Sequence, residues 1–282
     1  TGTLLNQKTK TIPSGGGDTE QGITFSTPSW SEGKASITVS TEETDYSIEY
    51  KLSNPEEDSG WKTIENDGAI TELSHGSTVY ARLTDGNNHG DYAQTTIRDE
   101  INPVVDVKLN GLTTSNSIKV NVTASDNESG MTASPKYTYY IKQSSEEDTA
   151  YKTQENSTNL TANTYTFTGL TQGTSYDIKV EVTGDKAGNT GAGYLAGQST
   201  QNIPDGSGEE VQEGAITFGT ASWSNNKASI TVNTNTSYQI EYQVGNTTEE
   251  SWTGISNGGT ISNLNYGDTV YARLTDGVNH GE

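Results

Sequence analysis

The residues of this chain best suited to chemistry are acidic loop residues. Asp126-Asn127-Glu128-Ser129-Gly130 and Asp99-Glu100-Ile101-Asn102-Pro103 gather hard oxygen donors in turns, which is the donor type that calcium takes. Asp126, Asn127, Glu128, Asp99 and Glu100 are therefore the metal candidates, and at the second segment a cation would stiffen the join between two modules. Asp and Asn also favour turns by bonding their own backbone. No EF-hand spacing is present, so a plain turn role stands beside the calcium role. The other reactive types are sparse. His89 and His280 occupy matching turns, whereas His75 is replaced by Tyr266 at the corresponding point of an internal copy. There is no cysteine and no serine in a nucleophile-elbow pattern. No catalytic residue, no enzyme activity and no organic cofactor are expected. Tyr139, Tyr140 and Tyr151 could present an aromatic face to a glycan or a protein, although tyrosine is also an ordinary strand residue.

Charge narrows the partners. With 37 acidic against 16 basic residues the net charge is −21, a field that repels phosphate backbones and excludes nucleic acid. Glu56-Glu57-Asp58, Glu146-Glu147-Asp148 and Glu249-Glu250 fall in comparable loops, as solvated charge first and a binding surface second. No apolar run approaches the length of a membrane span, and no signal peptide is visible. Either the chain is intracellular or its targeting segments have been removed, and its abrupt end favours removal.

The elements that must position these loops are strands. Only 29% of residues are hydrophobic, and Thr, Ser, Asn, Gly and Tyr dominate. That mixture predicts short strands joined by polar turns around several thin cores, an all-β chain. Thr78-Val79-Tyr80-Ala81-Arg82-Leu83-Thr84-Asp85-Gly86 returns letter for letter at Thr269 to Gly277, which marks an internal repeat. Alternation turns Ala35, Ile37 and Val39 inward, and likewise Val79, Ala81 and Leu83. The domain plan is a strand-like segment and glycine-rich linker over 1–21, a β-sandwich over 22–98, a second over 99–204, a linker over 205–213, and over 214–282 a copy of the first.

Leu170-x-x-Gly173-Thr174-x-Tyr176, running into an alternating strand, resembles the tyrosine corner of fibronectin type III domains, in which a tyrosine hydroxyl bonds nearby backbone. The turns at Asp126–Gly130 and Asp185–Asn189 resemble those of Ig-like modules in bacterial surface proteins. The Tyr-Ala-Arg-Leu-Thr-Asp-Gly repeats resemble those of clostridial cell-surface and pilin-like proteins. In the flanking modules Gly76 and Gly267 precede Tyr80 and Tyr271 by one residue more than in the middle module, so the corner is less well matched there. The resemblance implies three tandem fibronectin type III-like or Ig-like sandwiches in an extracellular, cell-surface protein of a Gram-positive bacterium. It further implies a structural or adhesive role as an elongated stalk or fibre element, with a host protein or glycan as partner. A carbohydrate-binding accessory module is the other non-catalytic class. Surface modules of Gram-positive bacteria sometimes carry Lys–Asn cross-links, but Lys34, Lys119, Lys179 and Lys227 alternate with apolar residues and should face water, which leaves no buried reactive lysine in view.

The last copy stops at Glu282, level with Asp91, before a counterpart of Tyr92 to Ile97. One expectation is truncation. Another is a pilus-like filament in which an N-terminal donor strand containing Leu4, Leu5, Thr9, Thr11 and Ile12 completes the last module of a neighbour, a head-to-tail self-association.

Overall fold

The structure is a computed structural model that describes residues 11–12, 22–204, 215–245 and 251–281. Among the described residues its regular structure is all strand apart from one short 3-10 turn at Asp148–Ala150. Among the described residues no helix is long and apolar enough to cross a membrane.

The strands run in chain order. The first sandwich holds β1 (Ile23–Phe25), β2 (Ser29–Ser31), β3 (Lys34–Thr41), β4 (Ser47–Lys51), β5 (Lys62–Ile64), β6 (Gly68–Leu73), β7 (Thr78–Thr84) and β8 (Ala93–Thr96). The middle one holds β9 (Val104–Leu109), β10 (Ile118–Ser125), β11 (Met131–Gln143), β12 (Lys152–Thr153), β13 (Thr164–Phe167), β14 (Ser175–Asp185) and β15 (Gly191–Ser199). In the third are β16 (Ile216–Phe218), β17 (Ser222–Ser224), β18 (Lys227–Thr234), β19 (Gln239–Val244), β20 (Thr253–Ile255), β21 (Gly259–Leu264) and β22 (Val270–Thr275). Contacts divide the chain into two compact units. One gathers the described residues of Thr1–Val105, Thr123–Tyr137 and Glu181–Ala192, and the other those of Asp106–Val122, Thr138–Val180 and Gly193–Glu282.

In the first unit, β3 pairs with β1, β2 and β6, while β5-β4-β7-β8 forms the facing sheet. Period-2 alternation supplies the core: Ala35, Ile37 and Val39 from one sheet meet Ile48, Val79, Ala81, Leu83 and Ala93 from the other, all buried. Pairing of β3 with β6 shifts register between Ala35 and Ile37, and Glu72 beside it takes a left-handed φ of 61°, the signature of a bulge. The turn before β6 is held by Asn66, whose side chain accepts from Thr41 N at 2.8 Å and donates to Thr41 O at 2.9 Å. Gly68 follows because a Cβ there would lie 2.4 Å from Ile64 Cγ1. This unit also contains the near end of the middle sandwich. Asp99 N donates to His75 Nδ1 at 3.0 Å, and Asn189 Nδ2 donates to Asp99 O and Ile101 O at 3.2 and 3.0 Å.

The second unit contains the interior of the middle sandwich, where Ile118, Val120, Tyr139, Phe167, Ile178 and Val180 are buried. The middle sheets, β13-β10-β9 and β12-β11-β14-β15, form a three-on-four sandwich. Tyr176 opens β14, and its hydroxyl accepts from Thr171 N at 2.9 Å, so the tyrosine corner read from the sequence is formed. The third sandwich repeats the first: the bulge recurs between Ala228 and Ile230, and Asn257 clasps Thr234 as Asn66 does Thr41. Its second sheet is β20-β19-β22, and among the described residues β22 pairs with β19 alone. A turn of this sandwich bonds the far end of the middle one. Ser115 Oγ donates to Asp276 Oδ2 at 2.7 Å, Asn279 Nδ2 to Leu170 O at 3.0 Å, and Gln172 Nε2 to His280 O at 2.9 Å.

Candidate metal centre

Three aspartates separated in sequence meet in the first unit. Asp99 lies between β8 and β9, Asp126 follows β10, and Asp185 closes β14. One carboxylate oxygen from each lies within 4.8 Å of the others. Asp99 and Asp185 are 3% and 4% exposed, and Asp126 is half-buried.

Local backbone sets the three side chains. Asp126 Oδ1 accepts from Glu128 N and Gly130 N, both at 2.8 Å, an Asx-type turn that fixes its carboxylate. Its other oxygen, Oδ2, is buried and has no hydrogen-bond partner. Ser129 ties the remaining pair together: its N donates to Asp99 Oδ2 at 3.0 Å and its Oγ to Asp185 Oδ1 at 2.6 Å. Ile101 N caps Asp99 Oδ1, while Ala187 N and Asn189 N serve Asp185. Burial pushes the Asp185 carboxyl up, yet the bonds from Ser129, Ala187 and Asn189 outweigh it and hold the group below the usual carboxylate range. Beside the cluster a surface crevice of about 460 Å³ is lined by Trp30, Gly33, Asp126, Asn127, Gly130 and Lys186, among others.

Of the five metal candidates, the structure brings together Asp99 and Asp126. Exposed Glu100 and half-buried Glu128 contribute no carboxylate oxygen to the trio, and Asn127 is exposed. Asp185 was absent from the candidates, although its turn stood out by composition. Only the fold brings it to residues 59 and 86 positions earlier, differences of 185 − 126 and 185 − 99. Of the donor-strand residues, Leu4, Leu5 and Thr9 lie outside the described residues, Thr11 is exposed, and Ile12 packs against the core of its own first sandwich.

Two other polar constellations escaped the sequence reading. Arg82 is buried beside Glu49: its Nε lies 2.5 Å from Glu49 Oε1, which His89 Nδ1 also meets at 2.7 Å, and its guanidinium stacks 4.1 Å over Trp61. The copy repeats this with Arg273, Glu241, His280 and Trp252. The turn histidines are thus held by a carboxylate. The expectation of no buried lysine is also corrected, since Lys51 and Lys142 are buried. Lys142 Nζ donates to Asp177 Oδ2 and Glu146 O, both at 2.9 Å. The bond to Asp177 raises the lysine's pKa, against a smaller opposing push from burial. A protonated, saturated amine is a poor nucleophile for cross-linking. Tyr139 turns inward, stacks 5.1 Å from Tyr165 and donates to Ala162 O, so it forms no outer face. Tyr140 lies outward under Lys179 Nζ at 4.4 Å.

No protein-family model matches the chain, and no curated protein matches it. Among solved structures, the chain is similar to the crystal structure of chicken CNTN1 FN1-FN3 domains, at 13% identity and a TM-score of 0.30, covering 96% of this chain and 95% of that one.

Proposed function

We propose that the chain is a non-catalytic structural element of an extracellular, cell-surface protein of a bacterium, in which tandem sandwiches space and present binding surfaces. The observation that supports this reading best is the use made of polar side chains at the ends of the modules. In the first unit His75 and Asn189 bind the backbone of the segment that connects two sandwiches. In the second, Ser115, Gln172 and Asn279 bond sandwich to sandwich. Side chains committed to joining modules suit a load-bearing or spacing role. Immunogold labelling of the source cells with antibody raised against the chain tests it. Label on intact cell surfaces is expected, and label confined to the cytoplasm would sink the reading.

A second reading, carbohydrate binding, draws on one observation in the third sandwich. Trp223 and Tyr266 are 53% and 92% exposed, with ring centroids 6.4 Å apart and planes tilted by 38°. Paired open rings suit stacking on sugar faces. Glycan-array binding that disappears in Trp223→Ala supports this reading, and an array that stays blank removes it.

A further inference from the structure

We propose that the Asp99, Asp126 and Asp185 carboxylates bind a calcium ion that fastens the segment between the first two sandwiches to the loops of the middle one. The site stands on the geometry of the first unit alone and is independent of where the protein resides in the cell. Three oxygens mutually within 4.8 Å leave room for a point at most about 2.8 Å from all of them, close to calcium's bond lengths of about 2.3–2.6 Å. Magnesium demands bonds of about 2.0–2.1 Å and a strict octahedron, whereas calcium tolerates an irregular shell.

Acidic residues gather on many surfaces without an ion, so the trio's spacing alone does not make a site. The buried Asp126 Oδ2 supplies the independent observation. A buried carboxylate oxygen without a partner costs free energy, and an unseen ion or water is the usual resolution. The remainder of each carboxylate is already occupied by backbone or serine donors, which leaves Oδ2 as the open valence. Among the described residues no lysine or arginine forms an ion pair with any of the three. Lys186 shares the crevice with Asp126, but its amine lies toward Gly130, where a Cβ would stand 3.3 Å from Nζ. The crevice gives solvent access, so waters can fill the rest of a six- to eight-fold oxygen shell.

The consequence is mechanical. Asp99 follows Ile97, a residue of the first sandwich's core, by two positions, whereas Asp126 directly follows β10 and Asp185 ends β14 of the middle one. A shared ion would hold that segment in place. With three charged ligands and an open side, the affinity belongs in the weak, extracellular range of about 10⁻⁴–10⁻³ M.

The test uses the full chain, stripped with chelator and titrated with calcium chloride by calorimetry. Hydrogen exchange of residues 99–102 and 126–130 is followed in parallel, with the third sandwich as internal control. The key variant is Asp126→Asn, which is isosteric and leaves Oδ1 to keep its two backbone bonds. The wild type should bind calcium, and exchange at those two segments should slow by at least about fivefold at saturation. The variant should bind at least about tenfold more weakly. In chelator it should melt no lower than the wild type, because a repelling charge has gone; that arm shows that any lost binding is not lost folding. Absence of binding by the wild type at millimolar calcium overturns the proposal. So does an Asp126→Asn chain that binds as well as the wild type, since the ion would then sit elsewhere on this acidic surface.

Discussion

The first and third sandwiches share a nine-residue stretch without a single difference, yet that stretch does not live in the same surroundings. In the first copy Val79 and Ala81 are fully buried and Tyr80 meets Tyr92 edge-on at 5.4 Å. In the third copy Val270 and Ala272 are half-buried, and Tyr271 is exposed. The neighbouring strand accounts for it: β7 has β4 and β8 on its two sides, and β22 has β19 alone among the described residues. What does not change is the outer cluster of Trp, Arg, Glu and His, whose distances agree to about a tenth of an ångström between copies. Burial belongs to the environment of a stretch, while a set of mutually bonded side chains carries its geometry with it.

The largest expected effect sharpens this contrast directly. Val79→Ala should destabilise the first sandwich by about 1.5–3 kcal/mol, the value of a fully buried valine, and Val270→Ala should cost the third less than about half as much. Hydrogen exchange resolved to β7 and β22 reads each sandwich separately, which matters because a chain with several cores does not unfold in one step. Equal losses would break the comparison. Next in size, Glu49→Gln removes the charge shared by Arg82 and His89. It should cost about 1.5–3 kcal/mol, as for hydrogen bonds to charged groups. Glu241→Gln should cost somewhat less because Arg273 is 25% exposed against 10% for Arg82. A much larger loss in the third sandwich would show that the cluster depends on its strand neighbours after all.

The smallest effect concerns the twin turns. Burial pushes the Asp276 carboxyl up, but bonds from Asn279 N, Ser115 Oγ and Val278 N bring it below the usual range. Asp85 is lowered by the backbone of Asn88 and Asn87 without a serine partner. A depressed carboxyl contributes stability that is present above its unfolded value near about 3.9 and is lost as pH falls through the folded value. Ser115→Ala should therefore move the acid transition of the third sandwich slightly upward in pH and leave the first sandwich's transition in place. A shift in both would mean that the serine acts through the middle sandwich and not through Asp276.

Much of the architecture was legible in the sequence because period-2 alternation reports facing. Ala35, Ile37, Val39, Val79, Ala81 and Leu83 are buried as read, and the Leu170–Tyr176 spacing forms its corner. Alternation says nothing, however, about what later covers an outward residue. Arg82 does point away from the core, but Trp61 closes over it. Lys51 and Lys142 point outward too, and are buried because the loops carrying Glu57, Ser59 and Glu146 fold back over them. The aspartate cluster was half legible for a related reason. Asp99 and Asp126 stood out as loop acids, whereas Asp185 joins them only once β14 has delivered its last residue to the same end of the sandwich.

Those two covered lysines have a practical consequence for chemical footprinting. An acylating reagent attacks the free amine, so exposed lysines such as Lys34, Lys119 and Lys152 should be labelled early in the native protein. Lys51 and Lys142 are 5% and 4% exposed, and each donates to two oxygen acceptors. They should react only when the loops above them lift, an opening that precedes or accompanies unfolding. Mass-spectrometric labelling at Lys51 would then act as a clock for the first sandwich and at Lys142 for the middle one, read from a single unmodified chain.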